Sequence, residues 1–152
     1  MIFKKSILVA GLLAMGLGAG AVLAADMDPI KARQECMKAN GKMMGELVAI
    51  FKGEKPYDAA AVTAAQKPMV DACANWDKFW GEDTKPGGAT ETWAKAEVWT
   101  DPEGFKKAGG DSYAAMQELA KSTDEAGFKA AFPKVGAGCK GCHDKFRRPK
   151  EG

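Results

Sequence analysis

Pro29-Ile30-Lys31-Ala32-Arg33-Gln34-Glu35-Cys36-Met37-Lys38-Ala39-Asn40-Gly41-Lys42-Met43-Met44-Gly45-Glu46-Leu47-Val48-Ala49-Ile50-Phe51 sets the architecture of the chain. Ile30, Met37, Met44 and Phe51 recur at strict seven-residue intervals, and Cys36, Met43 and Ile50 repeat that interval one position earlier. Leu47 completes the face. Seven residues are close to two helical turns, so the repeat presents one seam to a partner helix packed at a shallow angle. Pro29 suits a first helical turn, where the missing N–H has no partner to lose. The run ends near Gly53. Lys55-Pro56-Tyr57-Asp58 then reads as a turn, with Asp58 as the next N-cap.

Helical spacing continues on the C-terminal side, and nothing sustains the alternation of a strand. A second helix is predicted from about Ala59 to about Trp80, kinked at Pro68. Residues 81–100, with Gly81, Pro86, Gly87 and Gly88, read as a long irregular connection. Asp101-Pro102 opens a third helix, to about Lys121, with Gly109-Gly110 as a point of weak propensity. Ser122-Thr123-Asp124-Glu125 fits a capping box with Ser122 at the cap, and a fourth helix follows to about Arg147, strained near Pro133 and Gly136. Short turns between the first and second and between the third and fourth helices predict an all-α, antiparallel four-helix bundle.

On the N-terminal side, Lys4 and Lys5 precede an apolar stretch from Ile7 to Val22. Val22-Leu23-Ala24 is a small-residue cleavage pattern, and the polar Asp26 and Asp28 follow. This reads as a secretory signal peptide over residues 1–24, leaving one domain over residues 25–152. Removing its two lysines leaves 20 basic against 20 acidic residues. That balance offers no basic stripe for nucleic acid, and no second apolar run argues for a membrane span in the mature chain.

Cys139-Lys140-Gly141-Cys142-His143 carries the chemistry. In C-x-x-C-H, two thiols one helical turn apart add across the haem vinyl groups, and the adjacent histidine then lies under the iron; the pattern is that of c-type haem attachment. Attachment takes place outside the cytoplasm, in accord with the signal peptide. Three rivals are weaker. A thioredoxin-type pair wants C-x-x-C at a helix N-terminus after a strand. A zinc site would need another cysteine beside Cys139, Cys142 and His143, and adjacent Cys and His make poor tetrahedral ligands. A disulfide across that helical turn would be strained. His143 is the chain's single histidine, so a bis-histidine iron is excluded.

With these residues in view, the chain resembles the class II c-type cytochromes, typified by cytochrome c′. Gly138-Cys139-Lys140-Gly141-Cys142-His143-Asp144-Lys145-Phe146-Arg147 is similar to that family's C-terminal signature. Ala32-Arg33-Gln34 with Met37 is similar to its first-helix signature. Pro56-Tyr57-Asp58-Ala59-Ala60 and Ala96-Glu97-Val98-Trp99 add further likeness. The resemblance implies haem c held by Cys139 and Cys142, with His143 as proximal iron ligand and Arg33 near a haem propionate. It puts Arg147 near the proximal face and Met37 on the distal side, as sixth ligand or as packing beside an open iron. Met43 and Met44 read as core.

Two functions follow from the resemblance. One is periplasmic electron transport, a non-enzymatic haem protein exchanging one electron with redox partner proteins. The other is binding or sequestration of nitric oxide, carbon monoxide or another diatomic gas at a five-coordinate haem. A peroxidase is disfavoured, since the only histidine is committed to iron. The resemblance also implies a homodimer through the first two helices. Cys36 and Cys73 each lie about 18 residues from the turn near residues 54 and 55, so antiparallel helices of equal pitch bring them level. A disulfide between them suits an oxidising compartment; the alternative is two separate buried thiols.

Overall fold

The computed structural model describes residues 27–149; the signal-peptide reading of residues 1–24 lies outside them. The elements are α1 (Pro29–Phe51), α2 (Ala59–Ala72), α3 (Glu97–Thr100), α4 (Pro102–Ala120) and α5 (Glu125–Phe146). Four long helices form the bundle, and α3 is a single turn in the connection between α2 and α4. The tightest packing is of α4 on α5 and of α1 on α2.

α1 begins where the carboxylate of Asp28 accepts from the N–H groups of Ile30 and Lys31. It ends at Gly53, whose φ of +76° is the left-handed conformation that lets the chain turn away. Of its two seven-residue stripes, one is the core. Cys36, Met43, Leu47 and Ile50 are buried, whereas of the other stripe only Ile30, at the helix start, is buried: Met44 is half-buried and Met37 and Phe51 are exposed. The buried cluster joins Met43, Leu47 and Ile50 to Val62 and Met69 of α2, Leu119 of α4, and Phe128, Ala131, Phe132 and Val135 of α5.

The second helix is shorter than its sequence suggests. α2 passes through Pro68 and stops at Ala72. Cys73 is its C-cap and meets Cys36 of α1 in a disulfide, with Cα atoms 4.9 Å apart. Trp76–Trp80 then forms a separate 3₁₀ turn. This tighter winding turns Trp76 and Trp80 onto Phe105 of α4, with ring centres 6.1 and 4.6 Å away. Tertiary aromatic packing overrides the local helical pattern there.

The last helix also starts differently. Ser122 is not its cap: the Ser122 N–H bonds the Leu119 carbonyl, closing α4, and its own carbonyl accepts from the Tyr57 hydroxyl. Asp124 is the N-cap, its carboxylate accepting from the Gly127 N–H at 2.7 Å. Glu125, the would-be capping-box partner, pairs with Lys129 instead. α5 runs through Pro133 and Gly136 without a break, and α4 through Gly109-Gly110 likewise. Among the described residues, no helix is long and apolar enough to cross a membrane.

Candidate haem site

Along α5, Phe128, Phe132, Val135, Cys139, Cys142 and Phe146 are spaced four, three, four, three and four apart. They therefore share one helix face. Four of the six, Phe128, Phe132, Val135 and Phe146, are buried, and Cys139 packs against the core cluster. The two thiols thus occupy core-seam positions. Close approach to α4 depends on Gly138, where a Cβ would lie 3.0 Å from the Ser112 backbone.

Burial pushes both thiols up from their ordinary pKa, and both lie in the C-terminal half of α5 rather than at its start. A redox-active dithiol needs the opposite, a depressed pKa at a helix N-terminus, so the thioredoxin alternative fails on electrostatics as well as on fold. The zinc alternative lacks its extra ligand, since Cys36 and Cys73 are bonded to each other. Among the described residues no group of three or more His, Cys, Asp and Glu side chains is arranged for a metal ion.

His143 follows Cys142 in the last turn of α5. Desolvation by the surrounding protein, and secondarily the charge of Arg147, push the His143 pKa down, against a smaller opposing effect of Asp144. That direction favours the neutral imidazole, the form that ligates a metal, although His143 itself is exposed. Arg147 itself lies over the ring of Trp93, 4.6 Å from its centre. The chain end is fixed by a short antiparallel pairing with residues 92–95. Lys95 N–H donates to the Phe146 carbonyl at 2.9 Å and Arg148 N–H to the Trp93 carbonyl at 2.7 Å. A Lys145–Asp101 ion pair ties the same turn to the start of α4.

Across the bundle, Arg33 of α1 is only 4 % exposed. Its Nη1 donates to the Phe79 carbonyl at 3.2 Å and the Thr84 hydroxyl at 3.3 Å. Its Nη2 donates to the Thr84 carbonyl at 3.0 Å and the Thr92 hydroxyl at 2.5 Å. The guanidinium stacks on Trp80 and Trp99, 4.8 and 5.8 Å from the ring centres. Burial lowers its pKa from a high starting value, which leaves the cation charged. Met37, one turn along α1, is 37 % exposed and unused by the core.

The aromatic end of the bundle was the part that sequence reasoning missed. All four tryptophans, Trp76, Trp80, Trp93 and Trp99, fall between residues 76 and 99. That concentration in an otherwise loop-like stretch was the available signal. Trp76, Trp80 and Trp99 form an apolar wall beyond the cysteines with Phe79, Phe105 and Phe146, while Trp93 lies apart, beneath Arg147. Two half-buried thiols, an adjacent imidazole, aromatic rings and a buried cation form a donor set and a lining that fit a covalently held haem.

A helical bundle with such a C-terminal site defines a class II c-type cytochrome. The family model "Cytochrome C'" matches residues 28–147. The chain is 37 % identical to cytochrome c-556 of Agrobacterium fabrum over 99 % of its own length and all of that protein's. It matches the crystal structure of cytochrome c′ from Rubrivivax gelatinosus with a TM-score of 0.70 at 33 % identity, covering 80 % of this chain and 95 % of that one. Two mutants of the Alcaligenes xylosoxidans cytochrome c′, one a nitric oxide complex and one with carbon monoxide bound, each match with a TM-score of 0.70 at 30 % identity, over the same shares. The chain belongs to the cytochrome c′ family. Its cofactor is haem c, and the family's members are haem proteins rather than enzymes.

Proposed function

We propose that this protein is a periplasmic one-electron carrier whose haem is bonded to Cys139 and Cys142 and ligated by His143. The observation that carries this reading is the position of both thiols on the core seam of α5, followed directly by the only histidine. Haem c, when bound, supplies an iron that cycles between ferric and ferrous states. The chain's own residues do the rest. The Phe128–Val135 core and the 76–105 aromatic wall exclude water. Arg33 presents a fixed positive charge toward the cofactor's carboxylates, and Arg147 with Trp93 covers the proximal side. Met37 is the proposed sixth ligand, since a thioether left out of the core is free to turn toward iron. Export through residues 1–24, docking with periplasmic redox partners and dimerisation through α1 and α2 belong to the same proposal.

A second reading is gas binding at an open iron, favoured by the nitric oxide and carbon monoxide complexes of the Alcaligenes mutants. Absorption spectroscopy separates the two. A low-spin ferric spectrum with a sulfur-to-iron charge-transfer band, lost in Met37→Ala, supports the carrier. A high-spin spectrum, unchanged in Met37→Ala and with ready carbon monoxide binding to the ferrous form, supports the gas binder. The Cys36–Cys73 disulfide is likewise proposed for the secreted protein. Closing that loop contributes about 3 kcal/mol or more on a chain-entropy view. Non-reducing peptide mapping should recover the two cysteines as one linked pair, and recovery as free thiols overturns it.

A further inference from the structure

We propose that the indole N–H of Trp80 donates a hydrogen bond to a haem propionate, with Arg33 supplying the charge that holds the carboxylate there; this rests on the haem reading above. Among the described residues, Trp80 Nε1 is the one buried side-chain nitrogen or oxygen without a partner. Its surroundings explain why. The ring is enclosed by Trp76 at 4.9 Å, Phe105 at 4.6 Å and Trp99 at 6.3 Å between centres. Arg33 covers it at 4.8 Å. These neighbours present carbon surfaces or donors. The Trp80 carbonyl does accept, from Trp99 Nε1 at 3.0 Å, but an acceptor for Trp80's own N–H is missing.

Arg33 lacks the complementary thing. Its four hydrogen-bond contacts go to two carbonyls and two hydroxyls, all neutral. A buried guanidinium with no carboxylate hydrogen-bonded to it and an unfilled indole donor beside it call for the same ligand, an anion with acceptor oxygens. A haem propionate is such an anion, carried on a flexible arm at the edge of the macrocycle. Because the terminal nitrogens of Arg33 are already engaged by the connection, the guanidinium acts on the carboxylate as a fixed charge. The directional donor is Trp80. The role that resemblance gives to Arg33 alone is therefore divided between two residues from different elements.

The charged groups around this subsite are few. Asp28, at the start of α1, is the one carboxylate that acts on Arg33. The Thr90 hydroxyl, first among several causes, holds Asp28 below the usual carboxylate range. Glu82 and Lys85, flanking Thr84, pair with each other. On α4, Asp101 is held low chiefly by Lys145. Asp28 and Asp101 thus stay ionised at neutral pH and above.

The test uses the haem-loaded protein. Nitrogen-15 NMR should show one indole N–H, assigned to Trp80 by its loss in Trp80→Phe, whose resonance moves with pH as the propionate ionises. A hydrogen bond to the ionised form lowers that pKa, so its removal raises it. In Trp80→Phe the pH at which the reduction potential changes slope should rise by about one unit, roughly a tenfold gain in proton affinity. An indole resonance indifferent to pH overturns the proposal, as does a Trp80→Phe variant with an unmoved midpoint. The first measurement needs no variant beyond assignment, so it stands if Trp80→Phe fails to fold. Absence of covalent haem in the native protein would instead refute the reading on which this inference rests.

Discussion

The two ends of the bundle are built on different principles. At the end near residues 53–57 and 121–124, Met43, Leu47, Ile50, Val62, Leu119, Phe128 and Val135 fill the space between helices with hydrocarbon. That end needs nothing further. At the other end, half-buried thiols lie along the seam, a cation is buried with no carboxylate hydrogen-bonded to it, an indole N–H is unfilled and a methionine lies outside the core. The first end is filled by the chain alone, and the second carries the unpartnered groups that a ligand would complete. The contrast supports the haem placement proposed above with evidence independent of the motif.

Removing the attachment points should have the largest effect. Cys139→Ala with Cys142→Ala should yield a chain from which acidified acetone extracts all haem, where the native protein releases none. Hydrogen exchange should then stay slow over residues 43–50 and 128–135 and become fast over 76–99. Equal loss of protection at both ends would break the contrast, because the aliphatic end would then depend on the cofactor too.

The converse experiment acts on the other end. Phe128 is fully buried, with Phe132 5.6 Å and Tyr57 5.7 Å away between ring centres. Phe128→Ala should cost about 3–5 kcal/mol in urea unfolding. The visible spectrum of the folded fraction should be unchanged. A shifted spectrum would mean that the two ends are mechanically coupled through α5.

What the sequence disclosed follows the same division. The α1 seam and the C-x-x-C-H motif are local patterns, so both were legible, as were Asp58 as a cap and Asp101-Pro102 as a helix start. The early end of α2 was not, because the turn at 76–80 is wound to suit Phe105, a residue far along the chain. Arg33 could be singled out by resemblance, but its cage could not. Its partners Phe79, Thr84 and Thr92 are 46 to 59 positions away, and no periodicity encodes such a distance. Which of two adjacent stripes on α1 becomes core was equally undetermined, since both repeat every seven residues and only the packing of α2 and α5 selects between them.

The smallest effect concerns where α5 starts. Ser122-x-x-Glu125 is the better sequence match to a capping box, yet Asp124 holds the cap. Ser122 is occupied at both backbone atoms, by Leu119 and by Tyr57, which fixes it in the last turn of α4. Asp124 stands in extended backbone with its carboxylate on the Gly127 N–H, and its negative charge also favours the positive end of the helix. Asp124→Ala should therefore cost about 1 kcal/mol, and Ser122→Ala less than about 0.5 kcal/mol, in the same urea titration. Equal losses would return the cap to Ser122 and lengthen α5 at its start. Because this boundary lies at the aliphatic end, neither variant should alter the haem spectrum, so a spectral change in either would show that the start of α5 is felt at Cys139.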